Sequence, residues 1–211
     1  MISFILKELW QGKSIARSYM NAELQRRRFV GRTFDLGGGK DSSYLSFHAD
    51  GSRVETFDVK AGQVIDFETD ALPVEDGTYD TVLLFNVLEH VFNYQHLLDE
   101  TIRITKHGGE FHGFVPFLVE YHPDPHDFFR YTEETLHKLL TRAGWREVDV
   151  VAVGAGPFVA AVQQLTKSFP WILRIPLFLL FWLPDALFLK LRPDARRKFP
   201  LGYYWNAKKG S

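Results

Sequence analysis

The chain has 211 residues, enough for one domain with a sizeable core, which we assign to residues 1–211. Its 25 basic and 26 acidic side chains give a formal net charge of −1 at pH 7, which excludes a general binder of polyanions. The absence of cysteine excludes disulfides, thiolate zinc sites and cysteine nucleophiles.

The first segment, residues 1–30, is predicted to be a helical extension. An apolar stripe with helical spacing is formed by Ile2, Ile5, Leu6, Leu9 and Trp10. Gly12 interrupts the pattern, and a second helix is expected over residues 14–28. Two interpretations stand: helices packed on the domain edge with a solvated basic end, or a cap over a substrate entrance or a membrane-facing helix. Because Lys7 follows the apolar start at once, no secretory signal peptide is predicted.

From residue 32 the pattern alternates between strands and helices, which predicts an α/β core over residues 32–153. Strands are predicted near residues 33–36, 53–59, 64–67, 79–85, 110–116, 145–153 and 201–209. Helices are predicted over residues 94–105 and 132–144. The near-continuous apolar run at 79–85 is typical of a central parallel strand that is buried on both faces. The sequence therefore predicts a parallel-dominated α/β sheet.

An acidic residue and three glycines follow the first core strand, at Asp35, Gly37, Gly38 and Gly39. Glycine has no Cβ and tolerates positive φ, so this turn allows the backbone to approach a ligand closely. At the carboxyl edge of an α/β sheet the expected ligand is a nucleotide-like cofactor. A dinucleotide fingerprint needs a glycine where Ser42 stands, and a phosphate loop needs serine or threonine where Asp41 stands.

Five elements in order resemble the class I S-adenosylmethionine-dependent methyltransferases. They are residues 34–39, similar to the glycine motif of the family, Asp58 after the second strand, and the segments 72–80, 86–91 and 103–109. The resemblance covers residues 32–153 and the last strand. It implies a Rossmann-like, seven-stranded, mostly parallel sheet with helices on both faces and an antiparallel last strand. It also implies S-adenosyl-L-methionine as cofactor and S-adenosyl-L-homocysteine as product.

The resemblance implies roles for the residues of the glycine turn and for one acid beyond it. Gly37, Gly38 and Gly39 let the backbone approach the methionine part of the cofactor. Asp35 orients its cationic amino-acid end, directly or through water. Asp58 accepts hydrogen bonds from both ribose hydroxyls, a bidentate use of a carboxylate.

The adenine contact departs from the pattern of the family. The family often has an Asp-Ala pair five residues before the proline of its Leu-Pro motif, where this chain has Glu68 and Thr69. Asp70 and Ala71 stand two residues later. Either Glu68 or Asp70 could therefore meet the adenine amino group. Asn86, which begins the segment after the fourth strand, completes the expected cofactor-binding set.

Candidates for the chemistry lie in the loops after the fourth and fifth strands. Methyl transfer from a sulfonium is an in-line displacement, and a hydroxyl acceptor is helped by a general base. His126 or His90 is the predicted base, with Arg130 binding an acidic group of the substrate. In a second interpretation, Asp127 and Arg130 form a structural ion pair that orders the loop, and the two interpretations can coexist.

Short histidine spacing raises a third interpretation, in which His122, Asp124 and His126 bind a metal ion. Two intervening prolines and the lack of an obvious fourth ligand speak against it. No metal site is therefore predicted.

The string at residues 125–132 also resembles a subgroup of these methyltransferases that is found beside surface-polysaccharide biosynthesis functions. It implies a small-molecule, glycan-like or lipid-linked acceptor, and we expect oxygen rather than nitrogen to be methylated. No nucleic-acid partner is expected, because the charge is balanced and residues 85–88 lack an Asn-Pro-Pro-Tyr type of motif. Alternative functions are a catalytically silent, methyltransferase-like binding or membrane-associated scaffold, and a nucleotide-sugar or dinucleotide oxidoreductase.

Residues 155–200 replace the tight hairpin that the family has before its last strand. Their apolar run at 169–184 contains Arg174 and three prolines and is followed by Asp185, so we expect it to be too short and broken to span a membrane. A basic cluster follows, formed by Lys190, Arg192, Arg196, Arg197 and Lys198. This composition is typical of a segment in a membrane interface. The alternatives are a lid or a homodimer contact, and the expected location is cytoplasmic or peripheral at the inner face of the membrane.

Overall fold

The computed structural model describes residues 1–38, 44–45, 53–57 and 65–210, apart from the side chain of Lys167. Two predicted cofactor residues, Gly39 and Asp58, lie outside the described residues. The described strands are β1 (Arg32–Leu36), β2 (Arg53–Phe57), β3 (Tyr79–Phe85), β4 (Thr105–Pro116), β5 (Trp145–Val153) and β6 (Gly202–Lys209). They form one sheet in the order β2-β1-β3-β4-β6-β5.

The sheet is mostly parallel, as predicted. β1 pairs in parallel with β2 and β3, and β3 pairs in parallel with β4. β6 runs antiparallel between β4 and β5, which confirms the antiparallel last strand. Because β1, β3 and β4 are parallel neighbours, their carboxyl ends meet at one edge of the sheet.

The described residues form six strands, one fewer than predicted. The strand predicted at 64–67 is wrong over its described part, because Ile65 and Asp66 are irregular and a turn follows. The Asp66 carboxylate accepts from the backbone N–H of Glu68 at 2.9 Å, and the Asp66 carbonyl accepts from that of Asp70 at 2.8 Å. An aspartate that bonds to the backbone ahead of it favours a turn over a sheet ladder.

The described helices are α1 (Ile2–Trp10), α2 (Ile15–Leu24), α3 (Tyr94–Ile104), α4 (Glu133–Arg142), α5 (Pro157–Leu165), α6 (Arg174–Leu191) and α7 (Ala195–Lys198). Of the helices predicted with bounds, α3 and α4 begin and end within two residues of their predicted positions, whereas α2 ends four residues before its predicted end. Gly12, with a φ of +85°, separates α1 from α2 as expected. Thr132 caps α4 by accepting from the backbone N–H of Thr135 at 3.2 Å, which confirms the predicted helix start.

Alternate side chains of the central strand β3 pack into two apolar layers, one on each face of the sheet. Val82 and Leu84 pack in the layer that contains residues of α3 and α4. Leu83 and Phe85 pack in the layer that contains residues of α1, α2 and α5. Helices therefore cover both faces of the sheet, and the N-terminal extension is part of the core.

The apolar helix of the insertion corrects the sequence-based expectation of a broken segment. α6 is continuous over 18 residues and contains Pro184 in its interior. Pro176 lies in the first turn, where backbone N–H groups lack helical partners anyway, and Pro184 removes only its own bond to the preceding turn. Among the described helices, the segment Trp171–Leu191 is long and apolar enough to cross a membrane by length and composition, with a mean hydropathy of 1.9.

Asp185 fastens α6 to the domain. Its side chain is buried and accepts from the backbone N–H groups of Gly156 at 2.6 Å and Phe158 at 2.9 Å. Gly156 is the N-cap of α5 and Phe158 lies in its first turn, where N–H groups have no partner within the helix. Asp185 is therefore a helix cap supplied from a distant part of the chain, and this face of α6 meets protein.

Candidate active site

The carboxyl ends of β1, β3 and β4 open on one cavity of 510 Å³. Gly37 follows β1, Asn86 follows β3, and His90 ends the 3-10 turn Leu88–His90 that comes next. The described lining residues are Ser14, Ala16, Arg17, Met20, Gly37, Phe85, Asn86, His90, Phe114, Pro116, Val119, Glu120, His122, Pro123 and Asp124. This edge is where open α/β sheets bind their ligands.

The start of α2 forms one side of the cavity. Arg17 and Met20 line it, and the Met20 sulfur accepts from the side-chain amide of Asn86 at 3.4 Å. These contacts support the interpretation of the N-terminal segment as a cap over the site. Arg26 and Arg28 beyond the helix are exposed, so the solvated basic end of the other interpretation is present as well.

The glycine turn after β1 leaves no room for side chains. Gly37 has a φ of +85°, and a Cβ at this position would collide with Val87. A Cβ on Gly38 would collide with the carboxylate of Asp35 and the hydroxyl of Tyr44. Asp35 is fully buried and accepts a hydrogen bond from that hydroxyl at 2.9 Å. Both positions therefore require glycine, and the turn packs closely over a buried carboxylate.

Asn86 gives the chain a sharp bend at the end of β3. Its φ of 55° lies in the left-handed region, which asparagine enters more readily than most residues. Its backbone N–H donates to the carbonyl of Phe114 in β4 at 2.9 Å, so the bend is held by the neighbouring strand. The side chain lines the cavity beside the glycine turn.

The two candidates for the adenine contact, Glu68 and Asp70, lie with Ala71 in the segment before β3, next to the start of α3. Glu68 accepts from the backbone N–H of Phe92 at 2.9 Å. The backbone carbonyl of Asp70 is 3.0 Å from Nε2 of His96, and Ala71 is exposed. Within the described lining of the cavity, Glu68, Asp70 and Ala71 do not appear. The adenine contact therefore stays a prediction.

The two predicted bases differ in their position. His90 lines the cavity, and its Nδ1 donates to the backbone carbonyl of His126. The side chain of His126 is exposed and lies against Phe128, with ring centroids 5.1 Å apart. The His126 ring is not part of the described cavity lining, so His126 contributes to the site through its main chain.

Arg130 is held by its own loop. Its Nη2 donates to Asp127 at 2.7 Å and to the carbonyl of Glu120 at 3.1 Å. Nη1 donates to the other carboxylate oxygen of Asp127, which makes the pair bidentate. The bond with Arg130 lowers the pKa of Asp127 to about 2. The structural ion pair of the second interpretation is therefore present, and it orders the loop beside the cavity.

Sequence reasoning missed Glu89 and the position of His122. The Glu89 side chain is 0% exposed, and within the described residues neither carboxylate oxygen has a hydrogen-bond partner. Its Oε1 lies 3.7 Å from Nε2 of His90 and 3.9 Å from Nε2 of His122. The available signal was an acid directly before His90, but the buried orientation of that acid depends on the 3-10 turn and could not be read from spacing.

Comparisons with known proteins agree on the class of the fold. Residues 34–112 match a family model described as a methyltransferase domain. No curated protein sequence matches the chain. A S-adenosylmethionine-dependent methyltransferase from Archaeoglobus fulgidus is similar in structure, with 17% identity and a TM-score of 0.53, over 98% of this chain and 99% of that one.

Two further solved structures are similar to this chain. The [4+2]-cyclase SpnF has 16% identity and a TM-score of 0.54, over 93% of this chain and 81% of that one. Phosphoethanolamine N-methyltransferase 2 of Haemonchus contortus, in complex with S-adenosyl-L-methionine, has 12% identity and a TM-score of 0.56, over 91% of this chain. This chain spans 52% of the length of that enzyme. At such identities these likenesses show the fold.

Proposed function

Because residues 34–112 match a methyltransferase domain and the chain has the fold of S-adenosylmethionine-dependent methyltransferases, we propose that it methylates an oxygen atom of a small-molecule or glycan-like acceptor. The observation that carries the proposal is the shared cavity of Gly37, Asn86 and His90 at the carboxyl edge of the sheet. In this cavity the glycine turn and the polar side chains of Asn86 and His90 surround one space. The space is large enough for the methionine part of the cofactor and an acceptor.

The reaction is an in-line displacement at the methyl carbon. The acceptor oxygen forms a bond to this carbon while the bond from carbon to sulfur breaks. The electron pair stays on sulfur, which gives S-adenosylhomocysteine. The proton of the acceptor hydroxyl goes to a base, and the cavity contributes by aligning the reactants and excluding water.

The glycine turn is proposed to bind the methionine part of the cofactor. The position of Gly37 in the lining of the cavity supports this, because a backbone without a Cβ atom can approach a ligand. The buried Asp35 below the turn supplies negative charge near the cationic end. Gly39 and Asp58 continue the proposed set outside the described residues.

Of the two predicted bases, His90 has the better support. A carbonyl oxygen can only accept, so the contact of Nδ1 with the His126 carbonyl requires a proton on Nδ1. In the neutral ring the lone pair is then on Nε2. Since His90 lines the cavity, this lone pair can receive the proton of the acceptor. Arg130 is proposed to act by ordering the loop, because its guanidinium is already bound by Asp127.

The exposed face of α6 supports contact with a membrane surface or a lipid-linked acceptor. Its exposed apolar side chains include Leu180, Leu183, Leu187 and Leu191, and Trp171 and Ile172 are exposed in the turn just before it. The four leucines recur every three or four residues and therefore share one face. Phe178 and Asp185 are buried, so the helix packs on the domain along another face. One-sided burial fits a helix that lies in the plane of an interface.

The basic residues at the end of α6 and in α7 support an anionic membrane surface as the partner of this helix. They are Lys190, Arg192, Arg196, Arg197 and Lys198, and all are exposed. Each basic side chain near an anionic leaflet adds about 1 kcal/mol of attraction. We therefore propose peripheral binding to an anionic membrane at the cytoplasmic side, with a lipid-linked glycan as the acceptor.

The alternative function is that of a binding scaffold without methyl transfer. SpnF shares the fold and is described as a cyclase, which shows that this fold alone does not define the reaction. Cofactor binding separates the two functions. We expect S-adenosylhomocysteine to bind the wild-type chain in a calorimetric titration, and Asp58→Ala to weaken it about tenfold or more, since a charged hydrogen bond contributes about 1.5–3 kcal/mol.

The control for this titration is Asp194→Ala, which changes an exposed acid without a capping bond of its side chain. Failure of the wild-type chain to bind either S-adenosylmethionine or S-adenosylhomocysteine would favour the scaffold. For the acceptor, transfer of a labelled methyl group into lipid-soluble glycans should exceed transfer into free sugars. The opposite preference would contradict the lipid-linked acceptor.

Membrane binding is tested by co-sedimentation with vesicles that contain anionic lipid and with neutral vesicles. We expect binding to anionic vesicles, and at least tenfold weaker binding after the double change Leu183→Gln and Leu187→Gln. The matched control is His137→Gln with Lys138→Gln, at exposed positions of α4. If the leucine variant instead shifts a dimer to a monomer in sedimentation experiments while vesicles bind neither protein, the face is a homodimer contact.

A further inference from the structure

A buried carboxylate without compensation lies behind two histidines that line the cavity. Glu89 is 0% exposed, and the part of the chain that the structure describes provides no hydrogen bond to either of its carboxylate oxygens. An ionised carboxylate away from water is costly unless a cation or hydrogen-bond donors compensate it. The backbone carbonyl of Glu89 accepts from the N–H of Phe128, so the residue is fixed in place by the following loop.

Two imidazoles direct their second nitrogen toward this carboxylate. Nδ1 of His90 bonds to the carbonyl of His126, and Nδ1 of His122 lies 2.8 Å from the carbonyl of Glu120. Both contacts require a proton on Nδ1 and leave the lone pair on Nε2. Nη2 of Arg130 also lies 3.3 Å from Nδ1 of His122, but its shorter bonds go to Asp127 and to the Glu120 carbonyl.

The arrangement has the features of a metal site with three protein ligands. Candidate ligand atoms of Glu89, His90 and His122 lie within 4.8 Å of one another. Ligands at 2.0–2.2 Å from a tetrahedral zinc ion are about 3.4 Å apart, close to the 3.7 and 3.9 Å measured from Glu89 Oε1 to the two Nε2 atoms. Histidine ligands of metals typically donate their other ring N–H to a carbonyl or carboxylate, as both rings do here.

From this geometry we infer that Glu89, His90 and His122 bind one divalent metal ion of the zinc class. Two histidines and one carboxylate are the ligands of catalytic zinc and non-haem iron sites that keep an open coordination position. Since His90 and His122 both line the cavity, an ion held by them would be accessible from the space proposed for the acceptor. An oxygen atom of the acceptor is the ligand that the open position would take.

The role of the metal in catalysis rests on the proposed function, whereas the site itself rests on the three side chains. Bound by Glu89, His90 and His122, a divalent ion would act as a Lewis acid and would lower the pKa of an acceptor hydroxyl that it coordinates, so that the proton could pass to solvent before methyl transfer. The Nε2 lone pair of His90 would then hold the ion, and His90 would not be the group that accepts the proton.

The test uses the untagged chain after treatment with a chelator and dialysis. Calorimetry with Zn²⁺ should give one site per chain with micromolar or tighter affinity, and Co²⁺ should give the visible spectrum of a four- or five-coordinate ion. Glu89→Gln and His122→Gln should each weaken Zn²⁺ binding at least tenfold. The control His137→Gln removes an exposed imidazole on α4 and should bind as the wild type does.

Wild-type protein that binds no Zn²⁺ below 1 mM would overturn the site, and so would equal binding by the His122→Gln and His137→Gln variants. The Co²⁺ spectrum of the wild type answers the question even if a variant fails to fold. S-adenosylhomocysteine binding in the same metal-free samples reports on the proposed function separately. Methyl transfer that survives metal removal would overturn the catalytic role of the metal and leave His90 as the base.

Discussion

Two buried carboxylates of this molecule lie in opposite situations. Asp185, in the apolar helix α6, is 1% exposed and accepts backbone N–H groups from the first turn of α5. Glu89, beside the cavity, is 0% exposed, and no described residue donates a hydrogen bond to its carboxylate. Both acids are removed from water, but only the first has its charge compensated by the fold.

The difference separates a structural acid from a functional one. A carboxylate that satisfies free N–H groups at a helix start stabilises the fold, since both partners would otherwise be buried without hydrogen bonds. A carboxylate without such partners reduces stability and is expected to serve a ligand. The contrast predicts that neutralising Asp185 lowers the stability of the fold, whereas neutralising Glu89 does not. Variants of these two acids, and of Asp127 as an acid paired with a cation, test this prediction.

The largest effect is expected for Asp185→Ala. The change leaves the N–H groups of Gly156 and Phe158 buried without an acceptor and detaches α6 from α5. We expect a loss of about 3 kcal/mol in the free energy of unfolding, measured by denaturant titration. Asp185→Asn keeps one acceptor oxygen and should lose less.

The control for this variant is Asp194→Ala, which should change stability by less than about 0.5 kcal/mol because that acid is exposed and makes no capping bond through its side chain. Equal effects of the two alanine variants would contradict the role of Asp185 as a cap.

The sequence predicted the parallel core well, because its strands and helices carry strong local signals. The continuous apolar run of β3 and the threonine cap of α4 are examples, and both elements occur where expected. The strand at 64–67 failed because the bonds of Asp66 to the following backbone compete with strand formation. For α6, the prolines and the acid suggested a break in the helix. Pro176 does not break it because it lies in the first turn, and Asp185 is accommodated because it accepts hydrogen bonds from the start of α5.

The candidate site was only partly predictable. The glycine turn and His90 could be found because they occur in short local motifs. Glu89 and His122 could not be combined from the sequence, since they are 33 positions apart by their numbers and meet only through the loop that follows β4. The metal interpretation that joined His122 with Asp124 and His126 used sequence neighbours, and the structure places His122 beside Glu89 and His90 instead.

An intermediate loss of stability is expected for Asp127→Asn, because the charge of Asp127 is compensated by Arg130. Arg130 lowers its folded-state pKa to about 2, below the unfolded value near 3.9. The stabilisation is therefore complete above about pH 5 and is lost as the pH falls toward 2. At pH 7 the variant should lose roughly 2 kcal/mol, and the gap to the wild type should narrow between pH 5 and pH 2.

Denaturant midpoints across this pH range measure the gap. The matched control is Asp76→Asn, which removes an exposed partner of Arg103 and should cost less than about 1 kcal/mol at every pH. A gap for Asp127→Asn that stays constant from pH 7 to pH 2 would contradict the lowered pKa.

The smallest effect on stability, and one of opposite sign, is expected for Glu89→Gln in metal-free buffer. Neutralising a buried charge without hydrogen-bond donors among the described residues removes a desolvation cost, so stability should stay within about 0.5 kcal/mol of the wild type or rise. Added Zn²⁺ should raise the melting temperature of the wild type by mass action and leave the variant unchanged. A loss as large as that of Asp185→Ala would mean that Glu89 is a structural acid like Asp185, held by partners that the fold itself supplies.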